Sequence, residues 1–124
     1  TNTHVIFIDD ITIQQTSTII IQIHQNKQNT DPKHTIINVY RRPHHNPDFT
    51  TDLQIAIDSI YTRHPKSSIT IQGDINIDLF KLRPNQLLNL LLIENNLCTT
   101  ITTPTRYDDI HETYSLIDPV LTTT

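Results

Sequence analysis

ITIQGDINIDL, residues 69–79, contains the only glycine in a chain of 124 residues. At the ordinary usage of roughly 7% a chain of this length carries about nine. Ile69 and Ile71 alternate with Thr70 and Gln72, and the run is β-branched, so SSITIQ (67–72) reads as a strand. The strand runs into Gly73, then Asp74 and Asn76. A glycine there lets the backbone turn tightly or lets a ligand approach closely. On an extended backbone Asp74 and Asn76, two apart, share a face. One carboxylate and one carboxamide then stand where the strand ends. The carboxylate can ligate a hard cation or orient a water, and the amide can donate to a phosphate oxygen or hold that water. The same letters also spell a turn closed by Asx hydrogen bonds, the commoner use of this spacing taken alone. Asp78 falls on the same alternation and is expected in solvent.

Outward from this strand the chain alternates β-like runs with helical patterns. VIFI (5–8), TSTIIIQIH (16–24) and HTIINVY (34–40) are apolar or β-branched, the last two forming a hairpin around the polar stretch 25–33 with its breaker Pro32. RRPHHNP (41–47) stops regular structure. Phe49, Leu53, Ala56, Ile57 and Ile60 then recur at helical spacing and predict a helix over 51–63, with Thr51 and Gln54 as a capping box. RPNQLLNLLLIENN (83–96) predicts a second helix with Pro84 near its start. LCTTITT (97–103) is β-like, 103–114 reads as an irregular loop, and SLIDPVLT (115–122) closes with a β-like run in which Pro119 predicts an edge or a bulge. The order β, β, β, α, β, α, β, β belongs to the layered α/β or α+β classes.

Bulk properties narrow the field. The length suits one domain. A net charge of -4 argues against a basic nucleic-acid coat, though not against an enzyme meeting DNA through one local face. One cysteine, Cys98, excludes an internal disulfide and a multi-cysteine zinc site. No apolar run reaches the roughly 18 residues of a membrane span, and the start lacks the pattern of a signal peptide, so no membrane partner is expected. Thr, Ile, Asn, Gln and His are abundant while Gly, Met and Trp are scarce, as a guanine-poor coding strand would produce.

Three other stretches carry chemistry. In NVYRRP (38–43), Tyr40 ends a predicted strand, and a phenol there can hydrogen-bond a phosphate or stack on a base. Arg41 and Arg42 can each meet backbone phosphates with several donors; the alternative is a surface tyrosine with two solvated arginines. In LID (116–118), Asp118 ends a β-like run, where a carboxylate beside a histidine fixes its tautomer, or where the strand simply runs out into water. His44 and His45 are adjacent, but none of the histidines has the spacing of a zinc-protease motif.

NVYRRP, GDINIDL, LLNLLLIENNL, TTPTR and SLID, in that order, resemble the endonuclease domain of non-LTR retrotransposons, within the exonuclease–endonuclease–phosphatase family. The similarity runs from about Val5 to Thr122. It implies an α/β fold, part of a four-layer α/β sandwich. It also implies a phosphodiesterase that nicks target DNA with Mg²⁺ (or Mn²⁺) and works in the nucleus beside the other segments of one polyprotein. Carried over, Asp74 orients or activates the attacking water and is the lone, weak metal ligand. Asn76 holds water or phosphate, Tyr40 contacts the phosphate, Asp118 pairs with a catalytic histidine, and Arg41 and Arg42 lie on the substrate side. Arg42 stands where the family has proline, and Ile75 where it has phenylalanine. The family's metal-binding glutamate lies upstream of the first strand and its histidine stretch downstream of SLID; Glu94 and Glu112 match neither position. Residues 1–124 are therefore expected to be a partial domain, inactive in isolation. A non-catalytic β-rich interaction module and a degenerate retroelement relic are the other readings of the same residues.

Overall fold

The computed structural model describes residues 3–13, 17–26, 34–43 and 49–123, with side chains described from residue 34 onward. Its strands are β1 (Thr3–Ile13), β2 (Ser17–Asn26), β3 (His34–Arg41), β4 (Ser68–Asp74), β5 (Leu97–Thr99), β6 (Arg106–Asp108), β7 (Thr113–Ser115) and β8 (Val120–Thr123). Its helices are α1 (Phe49–Arg63) and α2 (Leu87–Glu94), with a single 3₁₀ turn at Leu79–Lys81. Six strands form one mixed sheet in the order β1-β2-β3-β4-β8-β5. β3 and β4 are its parallel pair, and α1 supplies the crossover that parallel neighbours require. β1–β2, β2–β3, β4–β8 and β5–β8 are antiparallel. β1 is longer than the apolar run VIFI suggests and shifts register between Phe7 and Asp9. No helix among the described residues is long and apolar enough to cross a membrane.

Alternation decides which face the helices cover. On β3 the odd positions Thr35, Ile37 and Val39 are buried, and in register with them on β4 are Ile69 and Ile71. These join Leu121 of β8 and Leu97 of β5 in one core with Phe49, Leu53, Ala56, Ile57 and Ile60 of α1 and Leu88 and Leu91 of α2. Both helices therefore lie on one side of the sheet. The even positions make a polar ladder on the other side. His34 Nδ1 pairs with Ser68 Oγ at 2.6 Å, His34 Nε2 with Thr70 Oγ1 at 3.1 Å, and Gln72 Nε2 donates to Asn38 Oδ1 at 2.8 Å. The described residues thus form two layers, helices on a sheet.

Several boundaries differ from the sequence reading. α1 begins at Phe49, and Thr51–Gln54 is not a capping box, because the Gln54 amide donates to Asp58 Oδ1 and Asn95 Oδ1. α2 is shorter than 83–96. Pro84 lies in a turn before it, where Gln86 Oε1 accepts from the Arg83 N–H. At its other end Asn95 donates to Leu91 O and to Gln54 Oε1, and Asn96 takes a left-handed φ of 54°, a conformation that ends helices. Residues 103–114 are not irregular: they contain most of the β6–β7 hairpin, with the Tyr107 and Tyr114 rings in tilted contact across it at 4.7 Å between centroids. β8 is not an edge strand. It lies between β4 and β5, and Pro119 immediately precedes it, where a missing N–H breaks no ladder bond. The stretch 44–48, with His44 and His45, lies outside the described residues.

Candidate functional site

Gly73 explains itself at the parallel seam. It faces Val39 across β3–β4 with φ +129°, and a Cβ built on it would stand 2.0 Å from the Val39 carbonyl oxygen. No other residue type fits there without moving β3. The seam ends one residue later, where Asp74 stands directly opposite Tyr40. Directly paired residues of a parallel ladder present their side chains on the same face, and adjacent strands lie about 4.8 Å apart. Tyr40 is half exposed and Asp74 partly buried, so the pair meets solvent at the edge of the core.

Asn76 reaches this corner by a turn and not by strand alternation. Its φ is +49°, and its N–H donates to Asp74 Oδ1 at 3.0 Å, an Asx turn. Its side-chain amide donates to the Arg41 carbonyl, while the Arg41 guanidinium donates to the Asn76 carbonyl at 3.4 Å. The extended pairing expected from the i, i+2 spacing is thus replaced by a reciprocal lock between the ends of β3 and β4. One Nδ2 hydrogen of Asn76 is spent on that lock, which leaves the second donor and Oδ1 for a ligand. Between the two polar residues Ile75 is buried, and its N–H donates to Ile117 O at 2.9 Å.

That bond draws the SLID segment to the corner. Asp118 is the next residue after Ile117, partly buried, and it precedes β8 rather than ending a β run. Two side chains hold the segment. Asp78 Oδ1 accepts from the N–H groups of Leu116 and Phe80, both at 3.0 Å, so Asp78 is a clamp and not a solvated carboxylate. Thr105 Oγ1 accepts from the N–H groups of Ile117 and Asp118, both at 3.1 Å. Neither role was legible in spacing. Each is a side chain meeting backbone more than ten residues away, and only the TPTR stretch hinted that Thr105 mattered.

His111 has Asp108 and not Asp118 as its hydrogen-bond partner. At the tip of the β6–β7 hairpin its Nδ1 lies 2.8 Å from Asp108 Oδ2, both side chains exposed. That hydrogen bond is the main reason the Asp108 carboxyl sits below its ordinary value, assisted by the backbone N–H groups of His111 and Ile110. Tyr40, Arg41, Asp74, Asn76 and Asp118 therefore lie at one end of the sheet, and Arg42 is exposed just past the end of β3. Among the described residues no three His, Cys, Asp or Glu side chains come together as a metal-holding group. Asp74 is one carboxylate with one oxygen already accepting an N–H, short of the several oxygens that a hard cation takes. The residues present do not by themselves fit a Mg²⁺ site.

No protein-family model matches the chain, and no curated protein matches it in sequence. Solved structures do. An endonuclease/exonuclease/phosphatase family protein from Bacteroides thetaiotaomicron superposes with a TM-score of 0.62 at 13% identity, over 86% of this chain and 42% of that one. The human Nocturnin catalytic domain with bound sulfate gives 0.59 at 14%, over 100% and 47%. TDP2 from C. elegans gives 0.63 at 12%, over 98% and 41%. The chain thus shares the fold of these structures and spans less than half of their length.

Proposed function

We propose that this chain carries one half of a metal-dependent phosphodiesterase centre, from an endonuclease that nicks DNA for retrotransposition. The observation that supports the reading most is the corner itself: Tyr40 opposite Asp74, Asn76 locked to Arg41, and the Asp118 segment hydrogen-bonded to the residue between them. A phosphate seated there meets the Tyr40 hydroxyl, the free Asn76 donor and the cations at the end of β3, while Asp74 aims a water at phosphorus. Asp118 would orient a histidine supplied from elsewhere in the intact domain. In that domain Asp74, with ligands from elsewhere, would hold Mg²⁺ (or Mn²⁺), which when bound would supply Lewis-acid stabilisation of negative charge. The ion needs ligands beyond Asp74, and no step of this chain's own residues runs through it. The partners are DNA and the remaining segments of the polyprotein, in the nucleus. The polar, helix-free face of the sheet is where a second sheet completes a four-layer sandwich.

The Asx turn and the absence of a metal-holding group among the described residues favour a second reading, a non-catalytic remnant of the same fold. Calorimetry with Mg²⁺ tests how incomplete the centre is. The chain is expected to give no micromolar binding. Micromolar affinity abolished by Asp74→Ala would overturn the half-centre and make the site self-sufficient.

A further inference from the structure

Arg41, Lys81 and Arg106 come from three separate elements, the end of β3, the 3₁₀ turn and the start of β6, yet they line one cleft of about 430 Å³ together with Asn76, Asp78 and Ser115. In a chain of net charge -4 this is a local concentration of cations. The carboxylate in the cleft, Asp78, has Oδ1 committed to two backbone N–H groups. Among the described residues the one ion pair is His111–Asp108, so none of the three cations is neutralised by a bonded carboxylate. Arg106 acts on Asp108 only at a distance. Three cations gathered round a concave, partly low-dielectric wall focus positive potential into it. Asn76 belongs both to this cleft and to the Asp74 corner, so the two are continuous.

We infer that the cleft lined by Arg41, Lys81 and Arg106 is a second phosphate subsite, which holds the backbone of a nucleic-acid strand one or more nucleotides away from the phosphate at Asp74. The inference rests on the phosphodiesterase reading for the identity of the first phosphate. A lone phosphate ester at the Asp74 corner reaches Arg41 but leaves Lys81 and Arg106, which face Asp78 as the one carboxylate lining the cleft, without a phosphate. A polymer of phosphodiesters satisfies both places at once, and the binding gained at the second is realised only with a strand. Arg presents a planar fork to phosphate oxygens, and Lys adds a mobile point charge. The site therefore selects polymer over monoester by charge spacing, without reading sequence.

The test is the binding of a short fluorescein-labelled DNA duplex to the full chain, followed by anisotropy over a range of salt. Lys81→Gln and Arg106→Gln are each expected to weaken binding about three- to tenfold at low salt and to reduce the salt slope by about one. Arg106→Lys is expected to keep the slope. Lys66→Gln, beyond the opposite end of β4, is expected to change nothing. Melting temperatures of the variants check that each is folded. Unchanged affinity and slope in both Gln variants would overturn the subsite, as would inorganic phosphate binding the chain as tightly as the duplex does. Loss of slope in the Gln variants, together with no nicking by the chain joined to the family segments that supply the glutamate and the histidine, would support the subsite while counting against the phosphodiesterase reading, so the two can fail separately.

Discussion

A single glycine in a chain otherwise biased against it is the residue on which the sheet turns. Val39 O occupies the space that any Cβ at position 73 needs, and the φ of +129° is one that side-chain-bearing residues rarely adopt. Gly73→Ala is expected to cost at least about 3 kcal/mol, or to prevent folding, because neither strain nor overlap can relax without opening the β3–β4 seam. Urea unfolding measures it. A loss below about 1 kcal/mol would mean that the two strands separate easily and that the corner beyond them is not held by the seam. The sequence made Gly73 conspicuous but left its role open between a tight turn and a close approach by a ligand. The approach is that of β3's own carbonyl, a contact 34 positions away in the chain that no local pattern records.

Among the elements, periodicity carried most of the information. β2, β3, β4 and the apolar faces of both helices follow directly from β-branched alternation and from leucine and isoleucine at helical spacing. What spacing could not show is where side chains replace backbone partners. The SLID segment reads as strand because it is apolar, yet it precedes β8 and is held by Asp78 and Thr105. The β6–β7 hairpin is three residues a side and polar, below what alternation can signal. Asp78→Ala is expected to destabilise by about 1–3 kcal/mol, since the Leu116 and Phe80 N–H groups lose their acceptor and Leu116 is buried. Asp78→Asn keeps an acceptor oxygen and is expected to lose less than half as much. Equal losses in chemical denaturation would show that the charge and not the acceptor matters. The pair Asp74 and Asn76 illustrates the same limit at the site. Its two residues do share a corner, but through an Asx turn and a lock on Arg41, not through strand geometry.

At the scale of the molecule, a helix-covered sheet with a polar second face matches structures more than twice as long. The superposition shows the fold, and the proposed phosphate site lies at the corner where β3 and β4 end. The proposed chemistry would need further metal ligands and a histidine for Asp118, and among the described residues no three His, Cys, Asp or Glu side chains form a metal-holding group. Losing two members of a catalytic unit is not additive with losing one, but little rate is expected to remain. The most direct measurement is nicking of supercoiled plasmid with Mg²⁺ by three proteins. They are the chain alone, the chain joined to the N- and C-terminal segments of a retrotransposon endonuclease that supply the glutamate and the histidine, and that fusion carrying Asp74→Ala. The account predicts no nicking by the chain alone, nicking by the fusion, and its loss in the Asp74→Ala fusion. Nicking by the chain alone, or a folded fusion whose nicking is absent or survives Asp74→Ala, would contradict it.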